Sequence, residues 1–193
     1  MKVAIIKYNA GNVHSVASAL RRMNIEPVIT DSPELLKNSD KVIFPGVGEA
    51  STAMNYLRGK KLDQLIPTLS QPFLGICLGL QLMFESSEEN DTTCLGIFKG
   101  QVKKFNENLK IPHMGWNDFV EVKSPLFAGI SAEEYVYFVH SYYAPVTENS
   151  IAITEYGVRF SAAMARDNFF ATQFHPEKSG KVGARILENF VRI

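Results

Sequence analysis

Residues 73–84 read Phe-Leu-Gly-Ile-Cys-Leu-Gly-Leu-Gln-Leu-Met-Phe, and the rest of the chain is organised around them. Phe73, Leu74 and Ile76 form a short apolar run, the pattern of a buried strand. Cys77 follows at once. Leu78, Gln81, Leu82, Met83 and Phe84 then read as the start of a helix. Gly75 and Gly79 stand two residues to either side of the cysteine. The result is G-x-C-x-G, the thiol counterpart of the G-x-S-x-G nucleophile elbow. The spacing has a steric cause. A strand that turns straight into a helix strains its apex residue, and side chains two positions away collide with the incoming strand and helix. Such a turn sets the sulfur at a helix N-terminus, where partial positive charge favours the thiolate. It also leaves the Leu78 N–H to meet an oxyanion. The competing reading is an inert core cysteine between two packing glycines.

Upstream, Lys2–Ile6 is an apolar run without alternation and reads as a fully buried strand. Residues 8–12 read as a turn, with Asn12 placed to cap the following helix. Val13, Val16, Ala17, Leu20 and Met23 lie on one helical face. Pro27–Thr30 and Val42–Phe44 are further strands, and Ser32-Pro33-Glu34 opens a short helix between them. Strand, helix, strand, helix, strand implies right-handed crossovers and a parallel sheet. Ligands of such sheets bind beyond the carboxyl ends of the strands, the edge that Cys77 occupies. Pro45-Gly46-Val47-Gly48 ends the third strand at this edge. It reads either as a tight turn before a helix at 49–58 or as a second oxyanion donor, a backbone N–H near Gly46–Val47 facing Cys77.

Beyond residue 95 the chain is richer in short strands: 101–105, 118–122, 135–139, 151–156, 160–163 and 169–174. They are expected to pair antiparallel and to extend the sheet. Residues 111–117, with the one Trp, read as turn-like. A closing helix from about Gly180 is expected to bury Val182, Ile186, Phe190 and Ile193.

The 193 residues fit one domain, 1–193, with a substantial core. Lys plus Arg equals Asp plus Glu at 20 each, and no basic stripe is present, which argues against nucleic acid. No apolar run approaches a membrane span, and the N-terminal one is too short for a signal peptide. Cys77 and Cys94 are therefore expected to be reduced and the protein cytoplasmic. No metal site is expected, since no close pair of histidines has ligand spacing. No cofactor is expected either, because neither a dinucleotide fingerprint nor a P-loop occurs.

A thiolate nucleophile needs a base, and the base an orienting group. Gln-Phe-His-Pro-Glu-Lys at 173–178 supplies both. Pro176 pushes His175 toward an extended conformation, in which residues two apart point the same way. Glu177 can then bond one imidazole nitrogen while the other faces Cys77. The bland alternative is a surface His and Glu opening a helix.

Pro-Gly-Val-Gly at 45–48, Gly-Ile-Cys-Leu-Gly-Leu-Gln at 75–81 and His-Pro-Glu at 175–177 together resemble the class I, or triad, glutamine amidotransferases. The stretches 8–12, Pro-His-Met-Gly-Trp-Asn at 112–117 and Tyr-Phe-Val-His-Ser-Tyr at 137–142 narrow the likeness to glutaminase subunits of imidazole glycerol phosphate synthase. The resemblance implies a flavodoxin-like α/β fold: a three-layer open sheet, mostly parallel, with antiparallel additions in the second half. It implies a Cys77–His175–Glu177 triad that releases ammonia from L-glutamine through a thioester. The oxyanion would be held by Leu78 and by the Gly46–Val47 peptide. Gly48, Gln81, His140, Ser141 and Tyr142 would hold the substrate. Ammonia would pass to a cyclase subunit with a (β/α)8 barrel, met through Tyr8, Asn12, Trp116, Tyr137 and Lys178. The Gly46–Val47 peptide is expected to turn its N–H inward only in the activated complex. Lys7 and Asn9 depart from the Asp and Gly common in relatives, within the loop that would face the partner. Rival classes are a stand-alone cysteine hydrolase (a peptidase or γ-glutamyl hydrolase), a glutaminase serving another synthase, and a silent subunit kept for its interface.

Overall fold

Four consecutive apolar residues form β1 (Val3–Ile6), and all four are fully buried. The computed structural model describes residues 1–8, 13–106 and 108–193. From β1 the chain passes through α1 (Val13–Arg21), β2 (Val28–Thr30), α2 (Pro33–Lys37), β3 (Lys41–Phe44), α3 (Ala50–Gly59), α4 (Leu62–Leu65), β4 (Phe73–Ile76) and α5 (Leu78–Leu82). Short strands dominate thereafter: β5 (Phe84–Ser87), β6 (Thr92–Thr93), β7 (Phe98–Lys104), β8 (His113–Asn117), β9 (Glu121–Val122), β10 (Val136–His140), β11 (Tyr142–Tyr143), β12 (Ser150–Glu155), β13 (Arg159–Arg166) and β14 (Phe169–Thr172). The helix α6 (Gly180–Arg192) follows them.

The principal sheet has the order β2-β1-β3-β4-β14-β13-β12-β9. Its first five strands run parallel. β13, β12 and β9 are added antiparallel. Side chains alternate across it. Val3 and Ile5 join Val16 and Leu20 of α1 and Ile186 and Phe190 of α6 in one core. Ala4 and Ile6 join Leu36, Met54, Leu57 and Leu62 in the other. Two helical layers thus enclose the sheet, as the period-two geometry of a doubly covered strand requires. No helix among the described residues is long and apolar enough to cross a membrane.

Local signals place the early elements well. Ser32 caps α2 by accepting the Leu35 N–H, with Pro33 in the first turn. The later elements need four corrections. Phe84 does not continue the helix after Cys77; α5 has five residues and Phe84 starts β5, which runs beside β7. Residues 113–117 are a strand, paired with β10 in a separate ribbon. The candidates at 101–105 and 135–139 belong to small sheets apart from the main one, and 169–172 is a parallel, central strand. Ile193 is exposed and Val182 only half-buried; α6 buries Gly183 and Leu187 beside Ile186 and Phe190 instead. The expected cap at Asn12 lies outside the described residues.

Three strand ends assemble the site. β4 lies between β3 and β14, with Gly75 opposite both Phe44 and Ala171. The segments leaving all three, at 45–48, 77 and 173–177, therefore emerge side by side.

Candidate active site

Cys77 sits at the apex of the β4–α5 turn with φ +53° and ψ −105°, a conformation that costs a residue with a side chain about 1–3 kcal/mol. Its N–H donates to the Thr172 carbonyl at 2.7 Å, which ties the apex to β14. Glycine at position 79 is a packing requirement, since a Cβ there would lie 2.1 Å from the Phe44 carbonyl oxygen. The helix thereby presses onto the end of β3 and turns the sulfur into a cavity of about 340 Å³.

His175 has extended backbone, φ −99° and ψ 96°, and its Nδ1 lies 2.8 Å from Glu177 Oε1, with both side chains fully buried. Burial works against protonating the ring. The sulfur of Cys77 and the carboxylate of Glu177 outweigh it and raise the imidazole to about 10. Ser179 steadies this turn: its hydroxyl donates to the His175 carbonyl at 2.7 Å and accepts the Tyr137 N–H at 2.9 Å. The His175 N–H donates to the Tyr137 carbonyl at 2.9 Å. Cys94 differs from Cys77: burial pushes its thiol up to about 12, and it lies outside the cavity.

The cavity is lined by Val47, Gly48, Cys77, Leu78, Gln81, His140, Ser141 and Tyr142, all nominated from the sequence. Glu89, Pro112 and Val139 also line it, brought there by the fold rather than marked by a local motif. Glu89 is half-buried, accepts the Ala50 N–H at 2.7 Å, and has its carboxyl raised by desolvation. Gln81 donates from Nε2 to the Tyr142 carbonyl at 2.8 Å and to Gln173 Oε1 at 3.2 Å. A second nitrogen pair supports this wall. His140 Nδ1 is 2.7 Å from the Tyr142 carbonyl, and His140 Nε2 is 3.0 Å from His113 Nδ1. Burial lowers His113 to about 4 and His140 to about 3, so both are neutral at pH 7. With the Tyr142 carbonyl able only to accept, His140 donates from Nδ1 and accepts at Nε2 from His113. Among the described residues no group of three or more His, Cys, Asp or Glu side chains is arranged to hold a metal ion.

Both expected oxyanion donors have partners here. The Val47 N–H donates to the Tyr8 hydroxyl at 3.0 Å, and the Leu78 N–H contacts the Gly46 carbonyl at 3.4 Å. Tyr8, proposed from sequence for a partner surface, is instead buried, its ring edge-on to Phe44 at 5.5 Å. Trp116 is 56% exposed and Met114 62% exposed. Tyr137, half-buried, packs edge-on to Trp116 across the β8–β10 ribbon, and Lys178 is exposed nearby in sequence to the His-Pro-Glu turn. Asn12 lies outside the described residues.

The family model "Glutamine amidotransferase class-I" matches residues 4–193. The chain is 57% identical to "Imidazole glycerol phosphate synthase subunit HisH" of Bacteroides fragilis strain YCH46, with all of both chains covered. The chain is a class I glutamine amidotransferase of the HisH family. The subunit of the same name from Bacteroides thetaiotaomicron is 56% identical over 99% of each chain, and that of Photorhabdus laumondii 46% identical over the full length of both. Solved structures share the amidotransferase fold at much lower identity. One described as a glutamine amidotransferase superposes with TM-score 0.77 at 19% identity, covering 98% of this chain and 97% of that one. A glutamine amidotransferase from Thermotoga maritima superposes with TM-score 0.63 at 20% identity, covering 99% of this chain and 82% of that one.

Proposed function

We propose that this amidotransferase is the glutaminase of an imidazole glycerol phosphate synthase: it hydrolyses L-glutamine to glutamate and ammonia for a cyclase subunit in histidine biosynthesis. The observation that carries the chemistry is a strained cysteine in a cavity whose sulfur, with Glu177, raises the buried His175 imidazole to about 10. An imidazolium beside a sulfur is the pairing that nucleophilic thiol catalysis uses. The sulfur attacks the side-chain carboxamide. His175, oriented by Glu177, protonates the departing ammonia, and a γ-glutamyl thioester remains. Water activated by His175 then releases glutamate and restores the thiol.

Recognition follows from the lining. Both Nε2 hydrogens of Gln81 are committed, so its oxygen is the group left to accept from the substrate ammonium. The Glu89 carboxylate adds a charge of the right sign to the same cavity. Backbone around His140, Ser141 and Tyr142, with Gly48, lines the same cavity. The Gly46 carbonyl, in contact with the Leu78 N–H, makes a poor oxyanion site. A half-turn of the Gly46–Val47 peptide would withdraw that oxygen and bring the Val47 N–H inward. One such donor is worth about 3 kcal/mol in the transition state. Turnover then waits on whatever turns the peptide, and the reading assigns that to the (β/α)8 cyclase. Exposed Trp116, Met114 and Lys178, with the half-buried Tyr137, supply an aromatic and cationic face for it. The fully reduced pair of cysteines fits a cytoplasmic, single-domain subunit.

Glutamate release from glutamine is the test, first by the chain alone and then with the cyclase and its ribonucleotide substrate. Low release alone that rises strongly in the complex is the expected result. High release alone, unmoved by the partner, would make the chain a free-standing hydrolase.

A further inference from the structure

Gln173 leads directly into the His-Pro-Glu turn, is fully buried, and has no part in the scheme above. Its side chain nonetheless touches the reacting atom: Nε2 lies 3.7 Å from Cys77 Sγ, and Oε1 lies 3.2 Å from Gln81 Nε2. The orientation of both amides is fixed by one carbonyl. Tyr142 O can only accept, so the Gln81 atom 2.8 Å from it is the nitrogen. The Gln173 atom that meets this nitrogen must be its oxygen. The atom that meets the sulfur is therefore the Gln173 amide nitrogen, a donor.

We propose that Gln173 is a further catalytic residue, whose amide N–H hydrogen-bonds the Cys77 sulfur and favours the thiolate, while its oxygen braces Gln81. The inference rests on Cys77 being the nucleophile of the glutaminase. Besides His175, which hydrogen-bonds the sulfur and takes its proton, two groups contend for it. As a thiol, Cys77 points its S–H at the Val139 carbonyl, 3.8 Å away. Once the proton has moved to His175, that carbonyl offers the sulfur nothing, whereas the Gln173 N–H now faces a full negative charge. A hydrogen bond made to the charged form favours ionisation. The Leu78 N–H, the backbone donor of the elbow, is meanwhile turned to Gly46. Gln173 thus supplies donation to the sulfur that the resting backbone does not, and through Gln81 it ties the nucleophile to the substrate wall.

Alkylation of Cys77 by iodoacetamide, followed across pH in the full-length chain and read by peptide mapping to separate it from Cys94, tests this without needing turnover. In Gln173→Leu the midpoint of the Cys77 profile should move up by about one pH unit, since a hydrogen bond to a charged group contributes on that scale. In the partner complex kcat should fall about ten-fold. A residue that merely braced Gln81 would raise KM for glutamine and leave the alkylation profile in place, and that result overturns the proposal. Should the Leu variant not fold, Gln173→Asn keeps an amide one methylene short of the sulfur and should give the same upward shift; an unmoved profile there is equally fatal. Glutamate release by the wild-type complex is measured alongside. If the wild type releases none, the glutaminase reading itself falls; if it does and the profiles coincide, only the role of Gln173 falls.

Discussion

The Tyr8 hydroxyl holds the main chain of Val47 from both sides, accepting its N–H at 3.0 Å and lying 3.3 Å from its carbonyl oxygen. This buried tyrosine fastens the peptide that the catalytic scheme needs to turn. Tyr8→Phe removes the partner of the Val47 N–H and keeps the ring against Phe44. Glutamate release by the isolated chain should rise about five-fold, the equivalent of about 1 kcal/mol for one hydrogen bond. Release by the complex should change far less. Unchanged or lower release by the isolated variant would mean that Tyr8 does not restrain the loop.

The strain at Cys77 separates two inactive variants. Cys77→Ala and Cys77→Gly should both abolish glutamate release. Glycine tolerates φ +53° without the penalty that alanine retains. The glycine variant should therefore be the more stable by about 1 kcal/mol in denaturant titrations. Equal stabilities would show that the turn is relaxed.

Two glycines should respond in opposite directions to alanine. At Gly79 the added Cβ meets the Phe44 carbonyl, so Gly79→Ala should destabilise by about 3 kcal/mol and distort the elbow. At Gly59, the last residue of α3, nothing lies within 4 Å of the added Cβ. Gly59→Ala should be neutral or stabilise by up to about 1 kcal/mol. Urea midpoints decide it; a Gly79→Ala variant as stable as wild type would remove the close approach as the reason for that glycine.

Stability should fall on both sides of a maximum near pH 6.5, for two different reasons. His175 has a folded value of about 10, above its ordinary 6.5, so it binds its proton more tightly when folded. Its contribution is complete below about 6.5 and is lost as pH rises toward 10. His113 and His140 have folded values of about 4 and about 3. The unfolded chain binds their protons more tightly, so their contribution is complete above about 6.5 and is lost as pH falls through 4 and 3. Denaturation free energy against pH checks both limbs. In Glu177→Gln the alkaline limb should still begin near 6.5 but be smaller and end at lower pH, because one of the two anions that raise His175 is gone; an identical limb would remove Glu177 from that role.

What could be read in the sequence was what residues a few positions apart dictate to one another. Gly75, Cys77 and Gly79 specify an elbow because the clash they avoid lies within the turn itself. Pro176 sets His175 extended, and its partner Glu177 is two residues on. The unbroken apolar run at 3–6 needs two covered faces, which already implies a layered sheet. The signals misled where local pattern was silent about neighbours. Phe84 continues the apolar series of α5, yet β7 draws it into a strand. Residues 113–117 carry turn-like Gly and Pro nearby, yet their backbone pairs with β10.

The chemistry around the sulfur shows the same division. The residue types of the elbow and of the His-Pro-Glu turn are visible in the linear chain, and so is the short reach from His175 to Glu177. That Gln173 donates to Cys77 is not, because its orientation is inherited through Gln81 from the carbonyl of Tyr142, and these contacts join residues 61 to 96 positions apart. Nor is the hold of Tyr8 on Val47, 39 residues away, which makes a buried restraint of a side chain whose loop position suggested a surface. Short-range sterics belong to the sequence; which hydrogen of which amide faces which acceptor is settled only when distant segments pack, because a buried polar group takes the partner that the fold brings to it.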